Sequence, residues 1–310
     1  MSTSTKFAGF TLGLVALFGV ALGAGALVGS PESEQDGHDT AVPGRAAPAG
    51  PAGLTDSAGG YTLALDEPIT ESGPGATLRF RIEDSAGRPV MRYTPNHEKD
   101  LHLIVVRRDL SGYQHLHPNL GGDGTWSAPV NLERGGDYRV FADFVTADGE
   151  PFTLGTDLRV AGAYTPRPLP VPATTATVGD YRVELGGTLT AGSYTDVAFS
   201  VSRGGKPVTD LEPYLGAYGH LVALRAADLG YLHVHPAGHP GDGTTPAGPG
   251  VTFAVAAPGA GDYRLFFEFR HAGQVHRAEF TAAVGTAAPG GPGPTSPRPA
   301  PEHTDNGHGH

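Results

Sequence analysis

The chain repeats itself. Tyr113-Gln114-His115-Leu116-His117-Pro118 returns as Tyr231-Leu232-His233-Val234-His235-Pro236. His102-Leu103 returns as His220-Leu221, Gly87-Arg88-Pro89-Val90 as Gly205-Lys206-Pro207-Val208, and Gly136-Asp137-Tyr138-Arg139 as Gly261-Asp262-Tyr263-Arg264. The period is about 120 residues, several times that of a stacked solenoid repeat, so the sequence predicts two tandem domains. The first is expected over residues 60–162 and the second over 180–285. Between them residues 163–179 carry Pro166, Pro168, Pro170 and Pro172, which predicts a stiff, extended linker.

Each unit reads as all-β. Leu78-Arg79-Phe80-Arg81-Ile82 alternates apolar and charged residues, the pattern of a half-buried strand. Asp196 to Val201, Tyr138 to Phe144 and Tyr263 to Phe269 read as further strands. Several short strands per domain with turn signals between them predict a β-sandwich of immunoglobulin or cupredoxin type. The Gly-Asp-Tyr triplets at 136–138 and 261–263 resemble the tyrosine corner of immunoglobulin-like and fibronectin-like domains, in which a Tyr hydroxyl bonds to nearby backbone.

Residues 7–29 hold no charge. As a helix they would span ~34 Å, enough for a hydrocarbon core of ~30 Å. Lys6 precedes them, and Glu32, Glu34, Asp36 and Asp39 follow. Positive charge stays in the cytoplasm, so this predicts a single membrane anchor over residues 1–29 with the rest of the chain outside. The alternative is a signal peptide cleaved after Ala26, which would release a secreted protein. Residues 30–59 and 286–310, rich in Pro, Ala and Gly, read as a disordered linker and a disordered tail. The tail ends on His308 and His310.

The histidines are the chemistry-bearing feature. If the runs 101–106 and 113–117 pair as a hairpin symmetric about their short connection, Val106 faces Tyr113, Ile104 faces His115 and His102 faces His117. His102, His115 and His117 then share one face, since side chains at i and i+2 point the same way. The second unit predicts the same for His220, His233 and His235. Three imidazoles on one face suit copper or zinc, not calcium or magnesium. With only Met1 and Met91 in the chain, a Met-rich Cu(I) site is not expected. Asp100 lies on the same face and His97 is near; the second unit has His239 and Asp242 instead. The competing possibility is that this face, which also carries Ile104, Val106 and Tyr113, is the sandwich interior. The histidines would then be buried, hydrogen-bonded structural groups.

The segment from Leu211 to Arg225 with Asp228-Leu229 and Tyr231 to Pro236 resembles uncharacterised, membrane-anchored extracytoplasmic proteins of high-GC bacteria. Their genes often lie beside heavy-metal and copper transport genes. The resemblance implies a role in envelope metal homeostasis. His233-Val234-His235 with Gly241-Asp242 is also similar to the copper-ligand segment of Cu,Zn superoxide dismutases, although the chain has no Cys for the dismutase disulfide. The net charge of −11 argues against nucleic acid as a partner. No nucleophile elbow, phosphate-binding glycine loop or His-Glu-x-x-His occurs. The sequence thus points to a non-enzymatic protein that binds a divalent metal through six histidines. A surface interaction module with structural histidines, and a copper redox enzyme, are the alternatives.

Overall fold

Alternation along the strands builds the sheets. In the computed structural model, which describes residues 52–232 and 234–285, Leu78, Phe80 and Ile82 of the Gly73–Glu83 strand are buried, whereas Arg79 is exposed. One sheet of the first repeat runs in the order Ser57–Ala58, Tyr61–Leu65, Gly73–Glu83, Trp126–Leu132, Asn119–Leu120. The facing sheet runs Ile69–Glu71, Pro151–Ala161, Gly136–Thr146, Leu101–Arg107, Gln114–Leu116. The second repeat follows the same plan. Thr175–Val178, Tyr181–Gly186, Ser193–Arg203, Gly250–Ala257 and Val234–Pro236 form one sheet. Tyr231–Leu232, His220–Arg225, Gly261–His271 and Gln274–Val284 form the other.

The chain is therefore two tandem β-sandwiches, each closed over its own apolar cluster. Both tyrosine corners form. Tyr138 donates to the Arg134 carbonyl at 2.8 Å, and Tyr263 donates to the Gly259 carbonyl at 2.7 Å. Among the described residues there is no helix, and none long and apolar enough to cross a membrane. The expected anchor, most of the first linker, His233 and the tail lie outside the described residues.

Two boundaries shift. The linker expected over 30–59 is part of the fold from Ala52 onward. Ala52 exchanges backbone hydrogen bonds with Tyr231, and Ser57–Ala58 pairs with Tyr61–Leu65. Gly53 sits at φ 69°, and a Cβ there would stand 2.5 Å from the Phe141 ring. Only glycine fits this close approach. Likewise, the linker expected over 163–179 ends in a strand, Thr175–Val178, paired with Tyr181–Gly186.

The two repeats fall in the same compact unit, and what joins them decides the position of the histidines. Every residue of Leu101–Arg107 is buried. Leu101, Leu103 and Val105 point into their own sandwich, whereas Ile104 and Val106 pack with Val222, Leu224 and Phe266 of the other repeat. A strand covered on both faces is apolar at every position instead of at alternate ones. The contact is close to reciprocal. Tyr113 stacks on Phe266 with ring centres 3.8 Å apart, and Tyr231, its counterpart in the second repeat, lies 5.6 Å from Phe141, the counterpart of Phe266.

Candidate metal centre

His102 is the second residue of Leu101–Arg107, and the hairpin register is the symmetric one. Ile104 pairs with His115 and Leu103 with Leu116. His117 follows the paired segment, and its ring centre lies 5.1 Å from that of His102. The three histidines of the first repeat thus meet as the sequence predicts. Their face is not the interior of their own sandwich; it is the face that the second repeat covers.

That cover contributes to the site. His220 opens the His220–Arg225 strand, and Glu268 is its register partner on Gly261–His271. The His220 ring stacks on His102 with centres 5.5 Å apart and lies 4.7 Å from His115. The buried Glu268 carboxylate accepts a hydrogen bond from His115 Nδ1 at 2.7 Å, across 153 residues of sequence. One ligating atom from each of His102, His115 and His117 lies within 4.8 Å of the others, and the same holds for His115, His220 and Glu268. Sequence reasoning treats the repeats as two separate sites and does not find Glu268. The structure draws four of the six histidines and one carboxylate into a single cluster between the sandwiches.

The second hairpin takes another course, and its His233 lies outside the described residues. Ala223 pairs with Leu232 and Leu224 with Tyr231, in the predicted register. The chain then changes sheets, and His235 pairs with Ala254 instead of facing His220. His235 lines a cavity together with His97, Asp143 and His220. His239 lies in the following loop, where Asp242 holds the backbone and hydroxyl of Thr245. Asp100 is exposed.

Each ring is held from outside. His102 Nε2 lies 3.0 Å from the Asn96 carbonyl, and His115 Nδ1 faces the Glu268 carboxylate. A carbonyl only accepts, so His102 Nε2 carries a hydrogen and His102 Nδ1 is a lone pair in the neutral ring. That nitrogen lies 3.0 Å from His115 Nε2. The separation suits a ring–ring hydrogen bond donated by His115, and equally two ligands of one cation. Outer nitrogens tied to a carboxylate or a backbone carbonyl are also the arrangement that orients metal-ligating histidines.

Two further ring nitrogens are buried without a hydrogen-bond partner. His117 Nε2 and His220 Nδ1 are buried and make no hydrogen bond among the described residues. Burial, helped by the neighbouring imidazoles, pushes His102 down to about 3, His117 down to about 4 and His220 well below the usual range. These rings are neutral at physiological pH, the form that binds metal. The donor set therefore fits a nitrogen-rich transition-metal site with one carboxylate beside it.

A family described as a domain of unknown function, DUF8832, matches residues 56–162 and 176–286. The chain belongs to this family. It carries two DUF8832 domains, one per sandwich, so the centre is built where the two copies meet. No curated protein matches the sequence. Among solved structures, the Escherichia coli adhesin FdeC is similar at 18% identity over 76% of this chain and 66% of its own, with a TM-score of 0.24. The Yersinia pseudotuberculosis adhesin InvE is similar at 12% identity over 72% of this chain and 58% of its own, with a TM-score of 0.21. Salmonella alpha-2-macroglobulin follows at 15% identity over 76% of this chain and 15% of its own, with a TM-score of 0.25. The chain spans less than two thirds of each, and likenesses this distant say nothing of what it does.

Proposed function

We propose that the protein binds one divalent transition metal ion, copper or zinc, at the centre between its sandwiches, and that it serves metal homeostasis on the outer side of the membrane to which residues 7–29 anchor it. The observation that carries this is the convergence of His102, His115, His117 and His220, with His102 Nδ1 and His115 Nε2 3.0 Å apart. A zinc–nitrogen bond is ~2.0–2.1 Å long, so one ion reaches both. The unpartnered His117 Nε2 and His220 Nδ1 supply two more donors.

A second reading has its own support. The bond from His115 to Glu268 and the stack of Tyr113 on Phe266 by themselves join the two repeats. On that account the histidines are structural and the protein is a non-catalytic surface module. Replacing His117 and His220 together by Leu separates the two. Removing a buried, unpaired nitrogen is neutral or stabilising. The metal reading therefore expects the variant to keep its fold and thermal stability while losing the wild type's tightest site in calorimetric titration with Cu²⁺ and Zn²⁺. His303, His308 and His310 are present in both proteins, so tail binding cancels in the comparison. Identical titrations for variant and wild type would leave the structural account standing.

A further inference from the structure

A cavity of about 320 Å³ adjoins the centre, lined by His97, Asp143, His220, Tyr231 and His235 among others. Of the centre residues, His220 also lines it, so cavity and cluster share that residue. His97 comes from the first repeat and His235 from the second. The His97 ring centre stands 5.8 Å from His220 and 6.2 Å from His102. His97 and Glu98 hold φ angles of 48° and 65° in succession. Asn96 and Lys99 exchange backbone hydrogen bonds around them, which makes the pair a two-residue hairpin turn whose central residues both take positive φ. The turn places His97 at the cavity. Asp143 adds a carboxylate to the same wall.

We propose that this cavity is the loading port of the centre. His97 and His235 are the imidazoles that a hydrated divalent cation meets first, and His220 is the ligand that hands it inward to His102, His115 and His117. The inference rests on the metal reading and adds a route to it. The ring nitrogens of the centre are buried, and a divalent ion does not cross an apolar surface as a bare charge. A path of exchangeable donors avoids that barrier. A donor that belongs to the path and not to the final site changes the rates of entry and exit together and leaves the equilibrium affinity alone.

The test is stopped-flow mixing of the full chain with Cu²⁺, followed by quenching of its single tryptophan, Trp126, alongside equilibrium titration. In the doubly substituted His97→Ala, His235→Ala protein, association and dissociation rates should both fall by roughly tenfold or more, the scale on which a polar, charged cleft raises an on-rate. The dissociation constant should change by less than about twofold. Val145→Phe, which narrows the cavity from another side, should do the same without removing a donor. Unchanged rates in both variants overturn the port and leave the metal reading intact. Loss of equilibrium affinity through faster dissociation alone also overturns it, because His97 or His235 would then be a final ligand. A wild type that takes up no metal overturns the metal reading and the port with it.

Discussion

Glu268→Gln probes the centre with the smallest change of shape. The carboxylate is buried and accepts from His115 Nδ1 at 2.7 Å. Its amide replacement keeps an acceptor oxygen and loses the charge. A hydrogen bond to a charged group contributes ~1.5–3 kcal/mol and a neutral one ~0.5–1.5, so the metal-free protein should lose about 1–1.5 kcal/mol. The metal-bound protein should lose more, because replacing a carboxylate that orients a ligating imidazole weakens metal affinity by ~10–100-fold. At a free zinc concentration 1,000 times the wild-type dissociation constant, binding stabilises the wild type by about 4.1 kcal/mol. At the same concentration the variant should gain only about 1.4–2.7 kcal/mol. Urea unfolding reports this through Trp126, the single tryptophan, buried in the first sandwich. Wild type and variant are each unfolded with and without Zn²⁺. An equal zinc-induced shift in the two proteins would refute the link between Glu268 and the metal, and no shift in the wild type would refute the centre.

Further outcomes follow from the same geometry. Phe266 is fully buried between the repeats and stacked on Tyr113, so Phe266→Ala should cost ~3–5 kcal/mol and raise hydrogen exchange along Leu101–Arg107 as well as in its own repeat; exchange confined to the second repeat would contradict the joint core. In the metal-free protein, His102 and His117 are held down to about 3 and about 4, against 6.5 when free. The unfolded chain therefore binds more protons between those values, and stability should be level above pH ~6.5 and fall below it, by about 2 kcal/mol at pH 5 from His102 alone; urea midpoints that stay level from pH 7 to 5 would contradict this. Tyr138→Phe and Tyr263→Phe each remove a corner hydrogen bond and should cost ~0.5–1.5 kcal/mol apiece in the same assay.

What the sequence showed was local. Alternation at Leu78, Phe80 and Ile82 identified a half-buried strand because period two is a property of the strand alone. The register that sets Ile104 against His115 followed from a short connection and two apolar runs. The tyrosine corners were legible as triplets because the bond spans only four residues. Glu268 was not legible. It lies 153 residues from His115, and nothing in its neighbourhood distinguishes it from a solvent-facing glutamate on a strand. The departure of the chain from its hairpin after Leu232 was equally hidden, since a strand that changes sheets keeps the alternation that would let it stay.

One signal was present and pointed further than the local pattern. Leu101 to Val106 is apolar at all five positions other than His102, on both faces of the strand. A sandwich strand with one face in water does not need that. The run states that the second face is covered, and with repeats in tandem the nearest cover is the other copy. Since His102 lies on that second face with Ile104 and Val106, the same run also states that the histidines sit under the cover and not at a solvent edge. Duplication then does more than copy a site. Each repeat brings a histidine-bearing strand and a carboxylate opposite it, His102 with Asp143 and His220 with Glu268. Packing the two faces together lets the Glu268 carboxylate of one repeat orient His115 of the other. A single repeat holds His102, His115 and His117 without that carboxylate, so the centre as it stands belongs to the pair.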